Sequence, residues 1–404
     1  MKKIFLISMG TVIVITFMIL VALYIPNAIP ADLDFTAVYN SSVALVHRAP
    51  IYDIPAVRVV TAKNAGVPLD KFFLPRFPYP PWYTLSTFYL GWLPIHSAAT
   101  LWFELNLAML FFSIWFLVAS WPSRMRLLAF PEGLLFIPVV GALIVGQNDF
   151  PTLLGGAMLI YALRKEHVFL TTLGTVLITY KPHLGALMAL SVLIYIIARR
   201  DKFGQSVLRA FLLAGIFLFA ISLIADPLWY IRYPQMLLGI TSTTYGSGGS
   251  DPYLCVKICT SLPVWLSKFF FNEALTKTTI IIAIVLLAFL LILFLQVRLV
   301  LLRQAELFLN VSVITTLLIS PYLFNYDFIL LLMPLALLWE TKKDSRQTFL
   351  VSICYLVPTI ALAIYGRAGN NTLLIATALL AVLIFLRAKS QVDVPTITAY
   401  NTDN

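Results

Sequence analysis

Asp32 and Asp34 stand two residues apart in Asp32-Leu33-Asp34-Phe35, shortly after an apolar run from Ile4 to Ile25. A carboxylate placed there can take a proton from a hydroxyl group. Two acids in an Asp-x-Asp spacing can also ligate a divalent ion. The plainer reading of Asp34 is an N-cap, since Asp is favoured where a helix begins; on these residues alone the two readings weigh evenly. Lys181, followed by Pro182 and His183, is a lone cation between two short apolar runs. An ionisable residue in such a run marks a functional site, and its plainer alternative is a lysine snorkelling to an interface. Gly146-Gln147-Asn148-Asp149 offers amide donors in Gln147 and Asn148, and the stretch 320–327 ends in Asn325, Tyr326 and Asp327. Arg76 and Tyr79 lie near the end of the first polar segment.

The elements that must hold these groups follow from composition. Of 404 residues, 60% are hydrophobic and 11% charged, with a mean hydropathy of +0.92. A soluble fold of this length could not keep so much apolar surface from water. The net charge of +10 would suggest nucleic acid in a soluble domain. Here Lys and Arg fall in short clusters between apolar runs, which is a topology signal, so nucleic acid is not an expected partner. Cys255, Cys259 and Cys354 are too few for a disulfide framework and read as structural or incidental.

Thirteen apolar runs are candidates for helices, beginning with the first and ending at 371–386. Placing Arg124/Arg126, Arg164/Lys165, Arg199/Arg200/Lys202, Arg298/Arg303, Lys342/Lys343/Arg346 and Arg387/Lys389 all inside requires an even number of crossings. The short, proline-flanked run 81–94 is the one that does not cross, leaving about 12 spans. The expected fold is all-α, a polytopic helix bundle forming one membrane domain over 1–390. It has outer loops at 30–79 and 226–278, cytoplasmic termini and a disordered tail at 391–404. Phe35, Val38, Tyr39, Ser42, Leu45 and Val46 follow an i, i+3, i+4, i+7 pattern, which predicts an amphipathic helix lying on the membrane surface. Tyr79 and Trp82 fit an interfacial belt. With the basic clusters inside, Asp34, the Gln147 motif, Lys181 and Asp327 all fall on the outer side.

These motifs carry a resemblance. The segments DFTAVYNSSVALVHRAPIYD at 34–53, FPYPPWYTLSTFYLGWLP at 77–94, GQNDFPTLLGGAMLIYALRK at 146–165, LGTVLITYKPHLGALMALSVLI at 173–194 and SPYLFNYDFILLLMPLALLW at 320–339 resemble glycosyltransferase family 87, integral membrane enzymes of the GT-C fold. The acidic pair with the later Tyr-Pro-Pro is also similar to glycosylphosphatidylinositol mannosyltransferase I. The family often has Gln where His183 stands here, and GSGGSDPYLC replaces the polar stretch common in its second outer loop.

The resemblance implies transfer of a hexose, with mannose expected, from a polyprenyl-phosphate donor to a glycolipid or glycan acceptor at the outer face of the cell membrane. One base suffices for such a transfer, and Asp34 is the choice with Asp32 beside it. The phosphate leaving group needs a cation and donors rather than an acid. Lys181, His183, Gln147, Asn148 and Arg76 are the candidates. Asp327, Tyr79 and Asn325 are assigned to acceptor contacts, and Asp327 could instead hold Lys181. A single base without a covalent intermediate implies inversion. Membrane lipids are the expected surroundings. No cofactor is expected to be obligatory, because a monophosphate donor has no pyrophosphate for a divalent metal to clamp. The rivals are a transporter or flippase for lipid-linked sugars and a ligase that moves whole glycans. A transporter needs access from both faces, often through paired repeats, whereas the polar motifs here gather on one face.

Overall fold

A computed structural model describes residues 34–75, 77–237, 260, 262, 304–320, 323–340 and 345–392. In order these form α1 (Phe35–Val46), α2 (Ile54–Ala65), α3 (Pro81–Thr87), a 3-10 turn (Phe88–Trp92), α4 (Ile95–Leu117), α5 (Ser123–Leu135), α6 (Ile137–Val145), α7 (Asp149–Arg164), α8 (Val168–Ile178), α9 (Pro182–Ala198) and α10 (Lys202–Ala225). Then come α11 (Trp229–Leu237), α12 (Ala305–Ile319), a 3-10 helix (Asn325–Leu331), α13 (Leu332–Glu340), α14 (Ser345–Tyr365) and α15 (Asn370–Val392). No strand occurs among the described residues. The apolar runs 4–25 and 279–297, and the tail from 393, lie outside them.

Local chemistry fixes many of the boundaries. Pro81 and Pro182 open α3 and α9, at the position where a missing N–H is harmless. Asp53 and Asp201 cap α2 and α10, accepting from Ala56 N at 3.3 Å and Gly204 N at 2.8 Å. Gly146 ends α6 at φ +66°, a left-handed conformation natural to glycine.

Four helices among the described residues are long and apolar enough to cross a membrane: α4, α10, α14 and the 370–387 part of α15. Their outward faces carry large apolar side chains, such as Leu212 at 65% and Ile375 at 60% exposure, which suits lipid. The expected run 127–145 is broken at Phe136, and α5 and α6 meet at 58°. If that bent pair is one span, the number is five. The runs behind α7, α8, α9 and α12 are helical, but at 16, 11, 17 and 15 residues each is shorter than the ~20 that a 30 Å core needs. The run 323–340 divides into a 3-10 helix and the nine-residue α13. As expected, 81–94 is no span: it breaks into α3 and a 3-10 turn.

Two cores result. The larger fills the space among α4–α9 and α12–α15 with residues such as Leu153, Met188, Phe308, Phe328 and Met333. The smaller gathers α1, α2, α3 and α11 around Phe35, Val38, Tyr52, Tyr83 and Trp102. Met109 of α4 packs against both. Here two expectations fail. Nine of the twelve residues of α1 are buried, including Asn40, Ser41 and Ser42, so this helix is enclosed rather than laid on a surface. Tyr79, at 7% exposure, is not a belt residue, its ring packing 5.3 Å from that of the buried Tyr83; Trp82 is half-buried and donates from Nε1 to Thr179 Oγ1 at 3.0 Å.

Candidate functional site

Five chain segments bring their ends together at one place. These are the start of α1, the α6–α7 turn, the start of α9, the 3-10 helix at 325–331, and Tyr83 of α3. Gly146 makes the first junction. A Cβ there would lie 2.7 Å from Phe35 Cβ, so the turn seats directly against the first residue of α1. Trp102 Nε1 donates to Gly146 O at 2.9 Å and Asn106 Nδ2 to Gln147 O at 3.4 Å, which ties the turn to α4.

Lys181, the residue before Pro182, is 3% exposed. Its Nζ lies 2.6 Å from Asp149 Oδ1, 2.5 Å from Asp327 Oδ1 and 3.3 Å from Gln147 Oε1. An ammonium has three N–H groups, and these three acceptors account for them. The Tyr326 ring lies 5.1 Å away, within cation–π range. Asp327 Oδ2 accepts from Phe324 N at 2.6 Å, which secures the 3-10 helix. Both carboxylates are fully buried, so with all three groups ionised the cluster carries one excess negative charge. Among the described residues Asp149 Oδ2 has no hydrogen-bond partner.

Gln147 joins this cluster to Asp34. Its Nε2 donates to Asp34 Oδ2, while its Oε1 accepts from Lys181 Nζ and from Asn148 N at 3.2 Å. Asn148 Oδ1 in turn accepts from Tyr83 OH. Asp34 itself is exposed. It occupies the N-cap position of α1 but makes no side-chain cap bond, so capping does not account for it.

The structure therefore brings together Asp34, Gln147, Asn148, Lys181 and Asp327 of the expected residues. His183 sits in the first turn of α9 and feels the charges of Lys181 and Asp327. Tyr79 packs on Tyr83, and its carbonyl accepts from Tyr52 OH at 2.5 Å. Asn325 opens the 3-10 helix, half-buried. Asp32 and Arg76 lie outside the described residues. Asp149 had been passed over in favour of its two amide neighbours, yet it is one of the two anions on Lys181. The motif that contains it was visible; its meeting with Lys181, 32 residues on, was not. Among the described residues no group of three or more His, Cys, Asp or Glu is placed to hold a metal ion.

The described residues form helices only, with an ion cluster buried at one end of the short ones and the exposed Asp34 beside it. The model of glycosyltransferase family 87 matches residues 77–321, more than half of the chain, and the chain belongs to that family. It is a membrane glycosyltransferase. The matched span holds Tyr79, Gln147, Asn148, Asp149, Lys181 and His183. Asp34, Asn325 and Asp327 join the site from outside it. No curated protein matches the chain.

Proposed function

We propose that the protein transfers a hexose, mannose by preference, from a polyprenyl-phosphate donor to a glycolipid or glycan acceptor at the outer face of the cell membrane, with both termini in the cytoplasm. The observation that carries this is the state of Asp34. It is the exposed carboxylate of the site, freed from capping and aimed by a neutral amide. In the reaction, Asp34 takes the proton of the acceptor hydroxyl as that oxygen attacks the anomeric carbon. The bond from that carbon to the phosphate oxygen breaks, and polyprenyl phosphate leaves with the electron pair. One displacement inverts the anomeric centre.

The buried cluster refines the role of Lys181. With its three donors already engaged, it meets a donor phosphate only by giving up one of these acceptors. In the state seen here Lys181 is a positioning residue that fixes the amide of Gln147, and through it Asp34. His183, two residues after Lys181, and Asn148, bonded to Gln147 through its backbone N–H, are the proposed donors for the leaving phosphate. No metal is required, because no pyrophosphate has to be clamped.

The test is to incubate the purified full chain with radiolabelled polyprenyl-phosphate hexoses and a membrane lipid extract. A labelled glycolipid or glycan is expected, and none with the Asp34→Asn protein. Label that crosses sealed vesicles without forming a product would replace this reading with a transporter.

A further inference from the structure

A polar cavity of about 430 Å³ lies at the far ends of α7 and α9 from Lys181. The helices α7 and α9 run from the site, at Asp149 and Lys181, to this cavity, at Arg164 and Arg199. At 1.5 Å per residue the 17 residues of α9 separate the two by ~25 Å. Three guanidinium groups line the cavity, from Arg164 of α7, Arg199 at the end of α9 and Arg387 of α15. Among the described residues Glu166 and Glu306 also line it, and Asp201 and Glu340 pair with the same arginines, so the positive excess of this region comes from the lysines and arginine beside them. Exposed Lys165, Arg200 and Lys202 stand beside the lining arginines. The first turn of α12 also lines it, through Gln304, Ala305 and Glu306, and a helix start attracts anions.

Ion pairs hold two of these guanidinium groups in place. Arg199 is held by Glu166 at 2.5 Å, Asp201 at 2.5 Å and Tyr195 OH at 3.2 Å. Arg164 is held by Glu306, by Glu340 at 3.5 Å and by Ser120 Oγ at 3.2 Å. These are fixed guanidinium forks, the geometry that phosphate recognition uses. The cavity terminates helices whose neighbours α10, α14 and α15 are candidate spans, so it opens where a bilayer surface lies.

We infer that this cavity binds the phosphate headgroup of an anionic membrane lipid. This site is independent of the transfer reaction and does not rest on the roles given to Asp34 or Lys181.

The full chain reconstituted in phosphatidylcholine vesicles, with and without phosphatidylglycerol, tests it. Phosphatidylglycerol should raise the melting temperature by about 2–4 °C. Arg387→Gln should abolish that rise, Arg387→Lys should restore part of it, and Arg209→Gln, on the exposed face of α10 outside the cavity, should leave it intact. Should Arg387→Gln fail to fold, native mass spectrometry of the unaltered protein decides: phosphatidylglycerol must be retained in preference to phosphatidylcholine. No rise with phosphatidylglycerol, or an equal rise in Arg387→Gln, overturns the inference. An equal rise from inorganic phosphate in phosphatidylcholine alone, at matched ionic strength, overturns the lipid as the source.

Discussion

The helices α7 and α9 carry ion pairs at both ends, under opposite conditions. At the Lys181 end the three ionised groups are 0–3% exposed. At the other end exposure runs from 9% at Arg199 to 54% at Glu166, with Arg164 and Glu306 at 27% each. Water screens the second set and is absent from the first. A buried charge left alone is costly, whereas an exposed pair contributes little. Pairing of the same chemical kind is therefore obligatory for folding at one end and nearly optional at the other. The exposed Asp34 is bonded to the buried set through the amide of Gln147 and belongs to neither end; the proposed function makes it the proton acceptor.

Breaking the buried set should have the largest effect. Lys181→Met leaves two carboxylates without their cation and should cost ~3–5 kcal/mol, read as a lower unfolding midpoint in detergent, with loss of transfer. A fold-neutral Lys181→Met would mean that the two aspartates are held protonated and the contrast between the ends is false. Asp34→Asn separates chemistry from folding: turnover should fall ~100- to 10,000-fold with the melting temperature unchanged. A parallel fall in both would return Asp34 to a structural role. Gly146→Ala must find room against Phe35 and adopt a positive φ, at a cost of ~1–3 kcal/mol; its activity should drop with stability, because the turn that carries Gln147 moves. At the other end, Arg164→Gln should cost at most ~1 kcal/mol, and less in high salt. The smallest effect is expected from chelation: excess EDTA should leave turnover unaltered, and its abolition with rescue by Mg²⁺ or Mn²⁺ would install a metal near Asp34.

Much of this was legible in the residues. Prolines at 81 and 182 mark helix starts because the ring fixes φ and lacks an N–H. The clustering of arginines is reproduced at one end of the molecule by Arg164, Arg199 and Arg387. What escaped depends on partners distant in sequence. The periodicity of α1 reports one face, but Asn40 and Ser41 away from it are buried as well, and Ser42 within it is held by another element: its Oγ donates to Thr87 O at 3.0 Å. Composition alone cannot tell such a face from a wet one. Likewise 127–145 reads as one apolar run, although Pro131 and Pro138 lie on either side of the bend at Phe136. Asp149 stayed hidden among amides because the value of a buried acid depends on the cation it meets, and no spacing rule connects residues 149, 181 and 327.

The short helices also have a consequence for bilayer geometry. The 16 residues of α7 reach ~24 Å and the 17 of α9 ~25 Å, against a hydrocarbon thickness of ~30 Å. With their arginine ends anchored at one surface, their other ends stop ~5 Å short of the opposite one. The reaction chamber is then a well sunk below the headgroup plane. On the proposed function, a lipid-linked donor would enter it by lowering its phosphate, or the bilayer would thin to meet it. Bilayer thickness thus becomes a variable of turnover, adjustable by acyl-chain length without altering a single residue.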